Sequence, residues 1–254
     1  MSIPRFPLKL VSRRMIAPTV AHLKLVRDDG QPLDFIPGQF LQVHFEYADG
    51  TPTKRSYSLA TVHDHAMGPG QAVEIAVSYV PGGAATALFE GLEVGETIDA
   101  SGPFGRFCLT PRDANRRYLL IGTGTGVTPY RAMLPLLEKQ MEERGVEVVL
   151  LFGARTPGEL LYGDEFRAFA QAHPRFRFMP CFSRELPGPG SSHAHSDVRH
   201  GYVQQFLGEL APSGETDLAY LCGNPDMVDA CFAALKEHGL AVPQIRREKY
   251  VSSK

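Results

Sequence analysis

The chain has 254 residues, of which 43% are hydrophobic and 21% are charged, and its formal net charge at pH 7 is −2. This composition is typical of a soluble globular protein with one large or two ordinary domains, and the small net charge gives no indication of nucleic-acid or membrane binding. No segment approaches the ~20 apolar residues of a membrane span, and residues 1–14 lack the apolar run of a signal peptide, so we expect a cytoplasmic protein.

The first part of the chain is predicted to form short strands, at residues 8–16, 20–26, 40–46, 54–60, 73–80 and 97–100. Glycine or proline lies in many of the gaps, and only residues 84–90 are predicted to be helical. Several short strands at this spacing predict a small antiparallel barrel or a sandwich.

Residues 1–27 contain six cations and no acid, in contrast to the nearly neutral chain as a whole. One interpretation is a solvated strand face. The other is a docking surface for an acidic partner, because such a local field attracts opposite charge. The six cations are Arg5, Lys9, Arg13, Arg14, Lys24 and Arg27.

The strand at residues 54–60 carries a cation, an aromatic ring and a hydroxyl within four residues, at Arg55, Tyr57 and Ser58. Alternation places Arg55 and Tyr57 on one face of the strand. A guanidinium suits a diphosphate and an aromatic ring suits the face of a flavin, so a flavin site is our hypothesis. Taken alone, this pattern is also common in ordinary exposed strands.

The turn at residues 81–86 follows a predicted strand and contains Gly82, Gly83 and Thr86. Glycines allow backbone N–H groups to approach a ligand, and a helix start offers unpaired donors. The turn is therefore a second candidate for a diphosphate contact, although most such turns only connect elements.

Near residue 112 the pattern changes from short strands to strands that alternate with helices. We therefore predict domains at 1–112 and 113–254. The apolar strand 117–122 runs into the glycine-rich segment 122–129, in which Thr128 is predicted to cap a helix that ends at Gly145. A strand, glycine turn and helix in this order are typical of a nucleotide phosphate site. The glycines do not match G-x-G-x-x-G, because Val127 occupies the third position.

Strands and helices then alternate, which predicts an α/β domain with a mostly parallel sheet. Asn224 is predicted to cap one of the helices. The predicted strands are 146–152, 176–182, 218–221 and 245–251, and the predicted helices are 164–172, 201–210 and 225–237. Residues 185–200 are predicted to be a loop, in which His193 and His195 lack an evident third ligand, so no metal site is predicted.

Two predicted strands end in Ala154-Arg155 and Ser183-Arg184. NAD sites commonly place an acid at the second strand end to bind the ribose 2′-hydroxyl, whereas arginines suit a 2′-phosphate. The alternative is that both arginines are ordinary surface residues. Cys222, beside Gly223 at a third strand end, is either near a nicotinamide ring or simply a buried core residue.

These motifs, in this order, resemble the bacterial type of the ferredoxin–NADP⁺ reductase family over almost the whole chain. The resemblance implies an antiparallel FAD-binding barrel followed by an α/β NADP-binding domain. It implies FAD contacts at Arg55, Ser56, Tyr57, Ser58, Ser78, Gly83, Ala85, Thr86, Thr125 and Tyr250. It implies NADP contacts at Gly124, Thr125, Gly126, Ala154, Arg155, Ser183, Arg184, Cys222 and Gly223.

By the same resemblance, Ser58 and Cys222 lie near the path of hydride transfer, and Tyr250 covers one flavin face until nicotinamide displaces it. The implied activity passes electrons between NADPH and a separate one-electron carrier, an acidic ferredoxin or flavodoxin that docks on the basic N-terminal strands. A monomer is expected. Alternatives are a free-flavin or oxygenase reductase, and a relay subunit without turnover of its own. Tyr202 stands where the family often has another arginine, which weakens the case for NADP selectivity.

Overall fold

The computed structural model describes residues 4–191 and 195–251, so His193 lies outside the described residues. The described chain forms two compact units. The first contains residues 4–108 and Thr128–Pro135, and the second contains Leu109–Val127 and the described part of Leu136–Val251. None of the described helices has the length and apolar character needed to cross a bilayer.

The first unit is a six-stranded antiparallel sheet with strand order β4-β3-β6-β1-β2-β5. A bridge between Leu59 and Ile75 joins the end of β4 to β5, across the two edge strands of that order. The predicted antiparallel barrel is therefore confirmed. Its strands are β1 (Phe6–Ala17), β2 (Val20–Arg27), β3 (Phe40–Glu46), β4 (Pro52–Ser58), β5 (Val73–Ser78) and β6 (Thr97–Phe104), and its helix is α1 (Ala84–Gly91).

Alternation along these strands builds the core of the first unit. Leu8 and Leu10 of β1 and Leu23 and Leu25 of β2 are all at most 1% exposed, while the residues between Leu8 and Leu10 and between Leu23 and Leu25 are more accessible. Phe89 of α1 joins the same cluster. The helix is thereby held against the sheet by its one large buried ring.

The second unit is a six-stranded parallel sheet with strand order β10-β9-β8-β7-β11-β12. Strands β7 and β11 are almost wholly buried, as expected when helices cover both faces of a parallel sheet. The predicted α/β domain is confirmed. Its strands are β7 (Arg117–Thr123), β8 (Glu147–Ala154), β9 (Phe176–Phe182), β10 (Arg199–His200), β11 (Asp217–Gly223) and β12 (Ile245–Lys249).

Three α-helices follow β7, β8 and β11, namely α2 (Thr128–Arg144), α3 (Gly163–Ala172) and α4 (Pro225–Glu237). Asn224 caps α4 as predicted, since its Oδ1 accepts hydrogen bonds from the backbone N–H groups of Asp226 at 2.9 Å and Met227 at 3.2 Å. Gly145 ends α2 in the left-handed conformation, also as predicted.

The prediction that Thr128 caps α2 is wrong. A 3-10 turn, Gly124–Val127, precedes the helix, and Val127 already has helical dihedral angles of φ −80° and ψ −15°. Thr128 is the first residue of the helix, and Val127 occupies the N-cap position. The sequence pattern of a threonine before a proline did not reveal the extra turn.

Several other predicted elements differ at their ends, and the last two residues of the predicted loop 185–200 form strand β10. The predicted helix 201–210 is a 3-10 helix, Val203–Leu210, and cannot begin at Gly201 because that residue has φ +142°. The last strand ends at Lys249, although the Tyr250 N–H still donates to the Gly223 carbonyl at 2.8 Å. Tyr250 therefore follows the strand directly.

Candidate functional site

The Arg55 guanidinium on β4 is held in place by neutral groups. Its Nη2 donates to the Tyr47 hydroxyl at 2.8 Å, and its Nη1 donates to the Thr53 hydroxyl and the Lys54 carbonyl, both at 2.9 Å. Its Cζ lies 5.7 Å from the centre of the Tyr47 ring. No carboxylate of the described chain pairs with it. The positive charge is therefore oriented but not neutralised, which suits an anionic ligand.

The alternation predicted for β4 is present except at its end. Arg55 and Tyr57 are half-buried, Ser56 is exposed, and Ser58 is buried. The Tyr57 ring packs perpendicular to that of Phe89, with 5.3 Å between the ring centres. Burial raises the pKa of the Tyr57 hydroxyl, although the Arg55 charge opposes that shift. Tyr57 is thus a neutral, fixed aromatic surface.

The glycine turn before α1 is organised by Thr86. The Thr86 Oγ1 accepts a hydrogen bond from the Val80 N–H at 2.8 Å. A Cβ placed on Gly83 would lie 3.1 Å from the Val80 carbonyl and 3.3 Å from the Thr86 hydroxyl, so a side chain there is sterically disfavoured. Ser78 is exposed at the end of β5, and Ala85 is half-buried in the first turn of α1.

A groove of about 950 Å³ lies between this turn and the hairpin that joins β3 to β4. Phe45 and Tyr47 line one side, and Gly83 and Thr86 line the other. Because Tyr47 accepts a hydrogen bond from Arg55, the guanidinium is fixed directly behind one wall. The exposed residues Glu46, Asp49 and Glu90 also line the groove, and Arg55 is joined to it only through Tyr47. The hydroxyl, the N–H groups of the helix start and the nearby cation fit the diphosphate of FAD, whereas the three carboxylates do not favour it.

The second unit brings its glycines together at the carboxyl ends of β7 and β11. A Cβ on Gly126 would lie 2.3 Å from the Cys222 carbonyl oxygen, and one on Gly223 would lie 2.6 Å from the Thr123 carbonyl oxygen. Gly124 has φ +55°. Strand order reverses between β7 and β11, which is where ligands bind in such sheets. The predicted nucleotide residues Gly124, Gly126 and Gly223 lie at this point, and Thr125 lies between the first two in the same turn.

Cys222 is fully buried as the next-to-last residue of β11. Burial raises the pKa of its thiol well above the ordinary value, and the nearby Glu248 carboxylate raises it further, while a hydrogen bond with the Tyr250 side chain opposes the shift. Cys222 is therefore a neutral thiol at physiological pH. This protonation state suits a packing or hydrogen-bonding role and does not suit a nucleophile.

Glu248 on β12 is a charged neighbour of this thiol. It pairs with Cys222 in the register of β11 and β12. Burial raises the pKa of Glu248 to about 7, and its buried Oε2 has no hydrogen-bond partner in the part of the chain that is described. The strand register is what places it here, and register cannot be read from one strand alone.

The two predicted 2′-phosphate segments are adjacent. The Ser183 N–H donates to the Ala154 carbonyl, and the Arg184 N–H donates to the Arg155 carbonyl, each at 3.0 Å. The side chains differ, however. Arg155 forms a two-point ion pair with Glu159, with distances of 2.7 Å and 2.6 Å. Arg184 is exposed and makes no ion pair within residues 4–191 and 195–251.

The three predicted catalytic residues belong to different units. Ser58 lies in the first unit, whereas Cys222 and Tyr250 lie in the second, where they contact each other. The predicted FAD contacts divide in the same way, with Thr125 and Tyr250 in the second unit. Their joint role at one flavin stays a prediction.

The basic N-terminal strands are largely compensated by groups outside residues 1–27. Lys9 pairs with Asp28, Lys24 with Glu74, and Arg27 with Asp29. The Arg13 guanidinium donates to the backbone carbonyls of Phe89 and Glu90. Arg5 and Arg14 make no ion pair with any described residue. Counting charges in one segment missed these partners because they come from the next turn, from β5 and from α1.

Family models match both units. Residues 7–108 match the oxidoreductase FAD-binding domain, and residues 120–232 match the oxidoreductase NAD-binding domain. The chain thus carries both nucleotide-binding modules that the motifs predicted.

Among curated proteins, the chain is 35% identical to the reductase subunit of an aromatic O-demethylase from Amycolatopsis, over 87% of this chain and 62% of that protein. It is 32% identical to the reductase component of a propane 2-monooxygenase from Rhodococcus jostii, over 92% and 60%. The chain thus spans less than two thirds of these two relatives. It is also 32% identical to ferredoxin–NADP reductase B from Sorangium cellulosum, over 96% and 97%.

Two solved structures with a similar fold are also reductases. A cytochrome P450 reductase from Amycolatopsis has 32% identity and a TM-score of 0.80, with 98% of this chain and 71% of that chain covered. A ferredoxin NADP⁺ reductase from Neisseria gonorrhoeae, solved with bound FAD and NADP, has 22% identity and a TM-score of 0.80, with 98% and 99% covered. The latter shows likeness of fold alone.

Proposed function

Because this chain belongs to the ferredoxin–NADP⁺ reductase family, we propose that it is a flavoprotein oxidoreductase that passes electrons between NADPH and a separate one-electron carrier. The observation that carries this proposal is the oriented Arg55 guanidinium, which has no carboxylate partner in the described chain. It stands behind one wall of a groove whose other wall is a glycine turn and a helix start.

In this proposal the first unit holds FAD. Arg55 and Thr86, with the backbone N–H groups that follow Gly83, bind the diphosphate, and Tyr57 supports one face of the ring system. Ser56, Ser58, Ser78 and Ala85 complete the contacts. FAD, when bound, supplies the chemistry that accepts two electrons as hydride and releases them singly. The protein contributes position and electrostatics.

The second unit binds the nicotinamide nucleotide. The turn at Gly124–Val127 and Gly223 leave backbone space at the strand ends for phosphate and nicotinamide. Thr125 contributes from the turn. Arg155 and Arg184, with Ala154 and Ser183, bind the 2′-phosphate of NADPH. The exposed Arg184 supports this assignment, whereas the ion pair of Arg155 weakens it.

Tyr250 and Cys222 act at the nicotinamide position. Tyr250 covers the flavin until nicotinamide displaces it, and Cys222 offers a neutral thiol beside the ring. Ser58 provides a hydroxyl at the flavin edge. The existing contact between Cys222 and Tyr250 supports a shared position for these two residues.

The electron acceptor is proposed to be a separate ferredoxin or flavodoxin. All four cysteines are buried and lie far apart in sequence, so they offer no iron–sulfur ligand set. A second candidate is a reductase that serves an oxygenase, because several similar proteins are named as reductase components of oxygenases.

The test is anaerobic reduction of the purified protein. We expect a yellow protein whose flavin absorbance bleaches on addition of NADPH, and we compare the concentration of NADH that gives the same bleaching. Transfer from the reduced protein to a ferredoxin, a flavodoxin and free flavin then separates the acceptor classes. A colourless protein that does not bind added FAD would contradict the proposed FAD site, on which the rest of the proposal depends.

A further inference from the structure

The end of β8 carries an ion pair that bears on which nucleotide the second unit prefers. The Arg155 Nε donates to one Glu159 carboxylate oxygen at 2.7 Å, and its Nη2 lies 2.6 Å from the other. Both carboxylate oxygens are used, in the fork arrangement by which arginine also binds phosphate. Glu159 therefore occupies the Nε–Nη2 edge of Arg155 and partly neutralises its charge.

The local backbone conformation brings the Glu159 carboxylate close to the Arg155 guanidinium. Thr156 is extended, and a short 3-10 turn, Pro157–Glu159, follows and returns the carboxylate toward β8. Glu159 is the less exposed partner, with 25% of its side chain accessible against 53% for Arg155. The carboxylate is thus the more buried group of the pair.

The ion pair lies at the carboxyl ends of adjacent strands, the edge of the sheet that we propose binds the nucleotide. Backbone hydrogen bonds from Ser183 and Arg184 to Ala154 and Arg155 join the ends of β8 and β9. At Gly153 a Cβ would lie 2.9 Å from the Thr123 side chain, so β8 and β7 also meet closely here. Arg184 is then the one cation of these two predicted 2′-phosphate ligands that carries no ion pair with a described residue.

We propose that Glu159 is a specificity-determining residue that lowers the affinity of this site for a 2′-phosphate by holding Arg155. A 2′-phosphate must compete with the carboxylate for the guanidinium, and the positive charge that it meets there is partly neutralised. A nucleotide with a free 2′-hydroxyl suffers neither cost, and carboxylates at this strand end commonly accept that hydroxyl. This inference rests on the proposed nucleotide site and deepens it.

The test measures binding without turnover. Isothermal titration calorimetry of the FAD-loaded protein uses adenosine 2′,5′-bisphosphate and adenosine 5′-monophosphate, which differ only in the 2′-phosphate. For Glu159→Gln we expect the Kd ratio of the two ligands to shift about tenfold toward the bisphosphate, the scale of one near-surface charge interaction. The shift should shrink at high salt.

Two further variants make the result specific. In an Arg155→Gln background, Glu159→Gln should give little of this shift, because the freed guanidinium is its cause. The matched control is Asp164→Asn, which removes the carboxylate partner of Arg167 three residues away on α3, and it should leave the ratio unchanged.

An unchanged ratio in Glu159→Gln, or a shift that persists without Arg155, would overturn the inference. Failure of the proposed function shows differently, as flavin that neither NADPH nor NADH bleaches. A chain that bleaches but shows no change in the Kd ratio therefore contradicts the role of Glu159 alone.

Discussion

Arg55 is the residue on which the proposed FAD site depends, because its charge is oriented by Tyr47 and Thr53 without being neutralised. We expect Arg55→Leu to weaken FAD binding by about 10- to 100-fold, since charge-assisted hydrogen bonds contribute roughly 1.5–3 kcal/mol. Fluorescence titration of the flavin-free protein with FAD measures this. Lys54→Leu, an exposed neighbour on the same strand, is the matched control and should change the Kd less than twofold.

Glu248 should make the stability of the protein depend on pH in an unusual direction. Its pKa is raised by burial from its ordinary 4.5 to about 7, so the unfolded chain loses this proton at lower pH than the folded protein does. The stabilisation from the bound proton is complete below pH 4.5 and is lost as pH rises through 7. We expect the free energy of unfolding of Glu248→Gln to exceed that of wild type by on the order of 2 kcal/mol at pH 8 and to equal it closely at pH 4.5.

Urea denaturation of wild type and Glu248→Gln at both pH values provides the measurement. Glu237→Gln, at the exposed end of α4, is the control. If the free energy of unfolding changes by the same amount between pH 4.5 and pH 8 in wild type and in Glu248→Gln, ionisation of the buried carboxyl does not destabilise the fold. The expectation would then be wrong.

Single residues were predictable where strand alternation or a motif carries the information. This was sufficient to place Arg55 and Tyr57 on one face of β4 and Gly124, Gly126 and Gly223 at a strand end. It was insufficient for the partners of charged groups. The pairing of Arg155 with Glu159 depends on a 3-10 turn, and that of Lys24 with Glu74 depends on the register of β2 and β5.

At the scale of elements, the first part of α2, which belongs to the first unit, is joined to that unit's sheet by a half-buried charged cluster. The Arg131 Nη1 lies 2.5 Å from a Glu74 carboxylate oxygen and donates to the Ala60 carbonyl at 2.6 Å. Burial alone would raise the pKa of Glu74, but hydrogen bonds from His22 and Arg131 outweigh it and hold the pKa well below 4.5. The stabilisation is therefore present above pH 4.5 and is lost on acidification.

We expect Arg131→Met to lower the free energy of unfolding by about 2 kcal/mol at pH 7, because it removes a charge-assisted hydrogen bond from a half-buried carboxylate that keeps Lys24 and His22 as partners. The loss should become smaller as pH falls below 4.5. Urea denaturation measures both. Lys139→Met, which removes an exposed ion pair with Glu143, should cost less than about 0.5 kcal/mol. Equal effects of the two substitutions would show that the cluster does not stabilise the fold.

Most elements could be predicted because their apolar periods differ clearly, two in the first sheet and 3.6 in helices such as α2. The errors lie at the boundaries of elements, at their starts as well as their ends. Gly201 delays the 3-10 helix to Val203, and the turn at Gly124–Val127 moves the start of helical geometry ahead of Thr128. Both depend on dihedral angles that residue type leaves open.

At the scale of the whole molecule, the expected docking surface for an acidic carrier reduces to Arg5 and Arg14. The double charge reversal Arg5→Glu/Arg14→Glu should slow reduction of an acidic ferredoxin about tenfold at low ionic strength, with less effect at high salt. Stopped-flow rates measure this, with menadione as a small uncharged acceptor whose reduction should not change.

Lys139→Glu/Lys236→Glu makes the same change in net charge and serves as the control for that experiment. If it slows the carrier equally, the effect comes from net charge and not from the N-terminal strands. If menadione reduction falls in parallel with carrier reduction, the two arginines affect the flavin and not docking.

The division of α2 has a consequence for recombination between relatives. Thr128–Pro135 belongs to the first unit and the rest of the helix to the second. A chimera that joins this first sheet to the nucleotide-binding half of another family member at residue 112 imports a foreign α2. It keeps the partner of Glu74 only if that helix also has arginine at position 131. A junction placed after Pro135 keeps Arg131 with Glu74, but it takes β7 from the first parent and pairs it with a foreign β8 and β11. A single junction therefore preserves the contacts of α2 or those of β7, and not both.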